Sequence, residues 1–258
     1  MGHDRDETDD RSPEFEPGTG PYRGPALPVR AWRAYRSRGV RYVLHKAARK
    51  SLGRWPGLKR KVVYADPREY WTLRGGPDYF REQEDHPSRT SRSIWLADRI
   101  ASYRPVSVLE VGCGYGKQLA ALRDRLPGVP MVGVDFSATQ LGEAARHLDG
   151  FPGIGLALAN GWRLPFPDAS FDLVLTSAVI LHNPPTEAEA IRREVVRVSG
   201  RLVAHNEDTN LSYNRFGYDT AAWYRVAGYP LLESGPIEVD DDPDRHVSQF
   251  CVAESWRR

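Results

Sequence analysis

The chain has 258 residues, 40% of them hydrophobic and 27% charged, and a formal net charge of +2. That length suits one large domain with an appendage, and the near-balance of charge argues against a nucleic-acid binder that is basic throughout. Two cysteines, Cys113 and Cys251, are too few for a disulfide scaffold, and no apolar run approaches the roughly 18–20 residues that cross a bilayer.

The mean charge hides a partition. Residues 1–28 mix acids, Pro, Gly and Arg with almost nothing apolar and read as a disordered tail. Their acidic start is not that of a secretory signal, so the cytoplasm is the expected compartment. Residues 29–65 read as a basic amphipathic helical extension, with twelve bases and no acid between 30 and 61. Val29, Trp32, Tyr35, Val43, Leu44, Ala47, Ala48 and Leu52 recur at roughly helical spacing, Gly39 is a weak point, and Trp55-Pro56-Gly57 ends the run. This stretch has three readings: contact with an anionic membrane, contact with nucleic acid, or docking on the acidic remainder of the chain or of a homodimer mate. The last is preferred.

From residue 66 to 258 the texture is that of a packed domain. Val106–Val111 is an apolar strand that runs into a glycine loop and a helix over 115–126. Pro130–Asp135 is a second strand, and Ser137 opens the helix that follows. Residues 155–158 form a short third strand and Phe171–Thr176 a fourth. Thr186 is expected to cap a helix reaching Val198, and 200–205 is the fifth strand. A helix over 219–227 leads to a closing pair, 231–234 and 248–253. Alternating strands and helices predict an α/β fold: a doubly wound, seven-stranded, mostly parallel sheet with an N-terminal helical extension. Ligands of such a sheet sit at the carboxyl ends of its strands.

Three motifs sit there. Glu110-Val111-Gly112-Cys113-Gly114-Tyr115-Gly116 ends the first strand, where glycines let the backbone turn sharply and touch a ligand. Lys117 stands where a dinucleotide-binding G-x-G-x-x-G would place its last glycine, and Glu110 suits a ligand with a positively charged part. Asp135 ends the second strand, where an acid can accept both hydroxyls of a ribose. Asn160-Gly161-Trp162-Arg163-Leu164-Pro165-Phe166 follows the third, pairing an amide for an adenine edge with a rigid apolar wall.

Together these resemble the class I S-adenosylmethionine-dependent methyltransferases of small molecules, strongly over 105–205 and more loosely over 66–258. The resemblance extends through Phe171-Asp172-Leu173-Val174 to Ile180-Leu181-His182 and implies S-adenosylmethionine as cofactor. It sets Glu110 and Gly112 beside the methionine part, with Gly114 and Gly116 shaping the loop. Asp135 takes the ribose and Phe136 stacks near the adenine. Asn160, where the family often has Asp, meets the adenine amine with the Gly161 and Trp162 backbone nearby. Ser177 and Ala178 face the transferred methyl. Arg92 either pairs with the cofactor carboxylate or is a solvated helix arginine. Tyr70, Trp71 and Tyr79, before the first strand, and Tyr218 and Asp219, before the last hairpin, either line the acceptor pocket or pack on the sheet. His182 and His205 are candidate bases whose alternative is a structural role. No metal-ligand spacing is present. The expected reaction is in-line methyl transfer to O or N of a small acceptor, a secondary metabolite by family analogy. Its rivals are an RNA- or membrane-associated cofactor-binding module and an NAD-dependent oxidoreductase.

Overall fold

The computed structural model describes residues 27–85, 87–240, 242 and 245–256. The expectation of a disordered tail over 1–28 falls almost wholly outside them. Helix α1 spans Leu27–Ser51 and breaks at Gly39, whose φ of 77° and ψ of 173° are not helical. Four shorter helices follow where the sequence reading placed at most one: α2 (Pro56–Val63), α3 (Pro67–Arg74), α4 (Pro77–Glu84) and α5 (Pro87–Ser102). Each begins with proline, whose fixed φ suits the first helical position and whose missing N–H costs nothing there. Asp66 caps α3 by accepting from the N–H groups of Arg68 and Glu69.

The sheet then builds in the expected order. Strands β1 (Val108–Val111), β2 (Met131–Asp135), β3 (Ile154–Leu158), β4 (Phe171–Ser177), β5 (Ser199–Asp208), β6 (Leu231–Gly235) and β7 (Ser248–Glu254) form one sheet in the order β3-β2-β1-β4-β5-β7-β6. The five strands from β3 across to β5 pair in parallel, and β7 runs antiparallel to both β5 and β6. Helices α6 (Lys117–Arg125), α7 (Ala138–His147), α8 (Pro185–Val198) and α9 (Thr220–Val226) make the connections. Ser137 caps α7, as its position before the apolar face suggests. Thr186 does not cap α8: the helix starts a residue earlier, at Pro185, with Pro184 in the cap position.

Successive residues of β4 serve opposite faces, as the period of two requires. Leu173 and Leu175 join the core under α5 and α6, and Val174 joins the core under α8. Chain order reverses between β1 and β4, so their carboxyl ends diverge and leave a crevice. Residues 29–65 fold against the rest. Val63, Tyr64 and Tyr70 form a third cluster with Tyr213 and Phe216, and Arg38 donates to the carbonyls of Thr72, Leu73 and Gly75.

Candidate active site

The loop after β1 is held open by its glycines. Gly112 (φ 74°) lies so close to Val179 that a Cβ would come within 2.4 Å of a valine methyl. Gly116 (φ 84°) occupies the left-handed N-cap of α6, against Leu148. The N–H groups of Gly112 and Cys113 both donate to the Val134 carbonyl, at 2.7 and 3.0 Å, which ties the loop to β2. Asp135 accepts from Gly114 N at 3.0 Å and from Ser137 N at 2.8 Å. Burial nevertheless pushes its carboxyl up to about 6.

The crevice has two communicating lobes, walled in common by Trp71, Tyr79, Ser177, Ala178 and His182. One lobe is bordered by Asp135, Phe136, Gly161 and Trp162. There Arg68, from α3, lays its guanidinium over the rings of Phe136 (5.4 Å) and Trp162 (5.0 Å), and Pro67 and Gln140 complete the wall. Arg68 and Gln140 escaped sequence reasoning. The signal that could have found Arg68 was Asp66-Pro67, a helix start at the opening of the domain. The other lobe holds Glu110, Arg92, Asn206, Asp208 and Tyr70.

Four of the nine buried side-chain polar atoms without partners among the described residues lie in or just behind this crevice. Glu110 is 3% exposed and its Oε2 meets no donor. Burial, and then the charge of Asp135, push it up to about 8. Arg92 bonds Asp242 through Nε (2.6 Å) and Asp208 through Nη1 (3.2 Å), while its buried Nη2 has no acceptor among the described residues. Asn160 and Asn206 each keep a buried Oδ1 unpartnered, although Asn160 itself stays behind the lining formed by Ala159, Gly161 and Trp162. Such groups are costly unless something answers them. The set calls for a cation at Glu110, an anion at Arg92 and hydroxyls at Asp135, between flat apolar walls. An amino-acid zwitterion joined to a nucleoside fits that description, and S-adenosylmethionine is such a molecule.

The two candidate bases part company. His182 ends a single 3₁₀ turn, Ile180–His182, and its Nδ1 donates to the Asn214 carbonyl at 2.6 Å. That bond fixes the proton on Nδ1 and leaves the lone pair on Nε2. Burial lowers the ring to about 4, and it packs edge-on to Trp71 in the wall of both lobes. His205 is a correction: it is fully buried and borders neither lobe. Its Nδ1 meets Thr176 Oγ1 at 2.8 Å and its Nε2 meets the Tyr224 hydroxyl at 2.6 Å, so no nitrogen is left for a substrate proton. Tyr218 and Asp219 are corrected likewise. The Tyr218 hydroxyl donates to the Asn183 carbonyl beneath the Arg192 guanidinium, and Asp219 caps α9 through the N–H of Ala222. Neither borders the lobes.

Beneath the lobes, Glu207 on β5 accepts from the N–H groups of Val179, Ile180 and Leu181 and from Thr176 Oγ1 (2.7 Å). This carboxylate holds the turn that carries His182. The chain enters that turn through Ala178, whose φ of 54° is unusual for a residue with a Cβ.

Fold and crevice agree with those of a class I S-adenosylmethionine-dependent methyltransferase domain. A family model described as a methyltransferase domain matches residues 108–200, from β1 into β5. The chain is 37% identical over 111 residues to a demethylmenaquinone methyltransferase of Deinococcus radiodurans, which spans 42% of this chain and 45% of that one. It is 27% identical over 206 residues to the phthiotriol/phenolphthiotriol dimycocerosates methyltransferase 1 of Mycobacterium ulcerans, covering 76% and 72% of the two. For several curated relatives the matched stretch is less than half their length. Among solved structures, magnesium protoporphyrin IX methyltransferase from Synechocystis PCC 6803 with bound S-adenosylmethionine superposes with a TM-score of 0.54 at 16% identity, covering 83% of this chain and 97% of the other.

Proposed function

We propose that the protein transfers a methyl group from S-adenosylmethionine to an oxygen or nitrogen of a small-molecule acceptor, with His182 as the general base. The observation that carries this reading is the meeting, in one crevice, of an unpartnered Glu110 oxygen and an unpartnered Arg92 Nη2 with a histidine whose Nε2 makes no hydrogen bond among the described residues. The cofactor supplies an electrophilic methyl on sulfur, so the protein's part is to align and to manage a proton.

Asp135 would hold the ribose hydroxyls, with Phe136 and Trp162 flanking the adenine. Glu110 would take the ammonium and Arg92 Nη2 the carboxylate of the methionine part. Ser177 and Ala178 then border the space between cofactor and acceptor, and the acceptor occupies the lobe walled by Tyr70, Trp71 and Tyr79. His182 takes one proton on Nε2 from the acceptor O–H or N–H as the new bond to carbon forms. The Asn214 carbonyl, held against Nδ1–H, steadies the imidazolium that results.

Calorimetry with S-adenosylmethionine, S-adenosylhomocysteine and NAD tests the cofactor site. Binding of the first two is expected, and binding of NAD alone would sink the reading. Release of S-adenosylhomocysteine when candidate acceptors are supplied tests the transfer itself.

A further inference from the structure

The outer face of the N-terminal helices is built unlike the rest of the surface. Among the described residues, half of the exposed large hydrophobic side chains lie between positions 32 and 62. On α2 and its N-cap, Trp55, Leu58 and Val62 recur at i, i+3 and i+7, which puts them on one side of a helix. On α1, Val40 and Leu44 recur at i and i+4. Leu44 and Val62 border the same surface depression, so the two stripes adjoin. Leu44, Trp55, Leu58 and Val62 are each half exposed or more. Ahead of the Gly39 break, Trp32 and Tyr35 are exposed as well, with rings stacked at 5.7 Å.

Cations outnumber acids around these side chains: Asp66 and Glu69 border the same depression, but Asp66 caps α3 and Glu69 pairs with Arg41. Several basic residues of the stretch are spent inward: Arg41 on Glu69, Lys46 on Asp78, Arg60 on the carbonyls of Ser212 and Arg215, and Lys59 on the ring of Tyr213. Arg36, Lys50, Arg54 and Lys61 are exposed and make no ion pair among the described residues. No acid occurs between residues 30 and 61 to neutralise them.

We propose that this face docks on the surface of an anionic lipid bilayer. Apolar side chains flanked by unpaired cations are what the boundary between headgroups and acyl chains selects, with Trp at the interface and Lys or Arg against the phosphates. The aliphatic part of the face decides between this partner and RNA. Nucleic acid rewards cations and stacking rings but gains nothing from exposed Val40, Leu44, Leu58 and Val62. A second copy of the chain would bring two sets of unpaired cations together with only Asp66 and Glu69, already engaged by α3 and Arg41, to offset them.

The inner side of the same helix braces the crevice. The Tyr64 hydroxyl, just after α2, donates to the His182 carbonyl at 2.5 Å, and Arg60 holds the 212–216 loop whose Asn214 anchors the His182 ring. A chain seated through α2 would therefore hold its acceptor lobe next to the lipid surface. The docking face itself stands independently of the catalytic reading.

Co-sedimentation of the full chain with vesicles tests the proposal, using phosphatidylcholine alone and phosphatidylcholine mixed with phosphatidylglycerol. Binding to the mixed vesicles, reduced by salt, is expected. Two triple variants, Trp55→Ser/Leu58→Ser/Val62→Ser and Lys50→Gln/Arg54→Gln/Lys61→Gln, should each weaken it by roughly tenfold or more. Circular dichroism and S-adenosylhomocysteine calorimetry check that both variants stay folded. Equal binding by the variants, no binding to the anionic vesicles, capture of a single-stranded RNA oligomer in their place, or self-association that the apolar variant abolishes would overturn the proposal.

Discussion

The crevice and the wall behind it use the same side chains to opposite ends. Each has a fully buried glutamate and a buried histidine. In the wall, Glu207 accepts from three backbone N–H groups and a threonine hydroxyl, and both nitrogens of His205 are bonded. Every polar atom of those two side chains is answered, so the arrangement can hold but cannot react. In the crevice, Glu110 keeps an oxygen without a donor and His182 keeps a ring nitrogen for something else. An unanswered buried group costs about 1–3 kcal/mol. A ligand can relieve that cost, so between these two pairs the satisfaction of hydrogen bonds, more than residue type or burial, marks the one open to a ligand; unpartnered atoms elsewhere, as on Arg123 and Glu254, show that it does not mark a site by itself.

The largest expected effect tests the two histidines against each other. His182→Ala should lower kcat by ~10²–10⁴-fold, the usual worth of a positioned general base, and leave S-adenosylhomocysteine affinity nearly unchanged. His205→Phe should do the reverse: stability falls by about 1–3 kcal/mol as Thr176 and Tyr224 lose their partner, while kcat of the folded fraction changes only a few-fold. Turnover and thermal melts on both variants decide it, and a swapped outcome breaks the comparison. The pH profile sharpens it. Asp135, pushed up to about 6, enters kcat/KM, but kcat at saturating cofactor and acceptor should stay level as pH falls from 7 towards 5, because burial keeps His182 neutral down to about 4. A limb near the ordinary histidine value would mean that His182 is not the base.

A smaller effect is expected at Asp135. Asp135→Ala should weaken S-adenosylhomocysteine binding by roughly tenfold to a hundredfold, the worth of charge-assisted hydrogen bonds. The matching change in the wall, Glu207→Gln, should cost stability with less effect on that affinity, because the turn it holds carries His182 and not the ribose. Calorimetry and melts on the two variants separate these outcomes.

The strand ends and the glycine loop were legible in the sequence because local rules dictate them. Val108–Val111 is buried on both faces and so reads as an apolar run broken only by Glu110, and Asp135 follows another apolar run directly. The distinction between His182 and His205 was not legible, because both follow apolar strands. What separates them is a carbonyl 32 residues away in one case and a tyrosine 19 residues away in the other. Tyr218 and Asp219 were misplaced for the same reason: their partners, Asn183 and the start of α9, are fixed by how the 212–219 loop returns over the sheet. Helices α2 to α4 are eight residues each, too short for an apolar period to emerge, and their prolines, with the Asp66 cap of α3, were the local signs of them.

Glu110 offers the finest test, because its proton reports whether the crevice is answered. Its pKa in the free protein, near 8, lies above the ordinary glutamate value, so between the two the folded chain holds a proton that the unfolded chain has released. Stability from this group is therefore complete below about 4.5 and is lost as pH rises through about 8, by at most ~1.4 kcal/mol per pH unit. Glu110→Gln should flatten that decline. Binding works in the opposite sense. An ammonium against Glu110 favours the ionised carboxylate, so S-adenosylhomocysteine should bind with release of a proton at pH 7 and bind more tightly towards pH 8, by less than about tenfold. Calorimetry in buffers of different ionisation enthalpy measures the proton directly. If none is released, Glu110 does not meet the ammonium, and its unanswered oxygen belongs with the scaffold instead of the site.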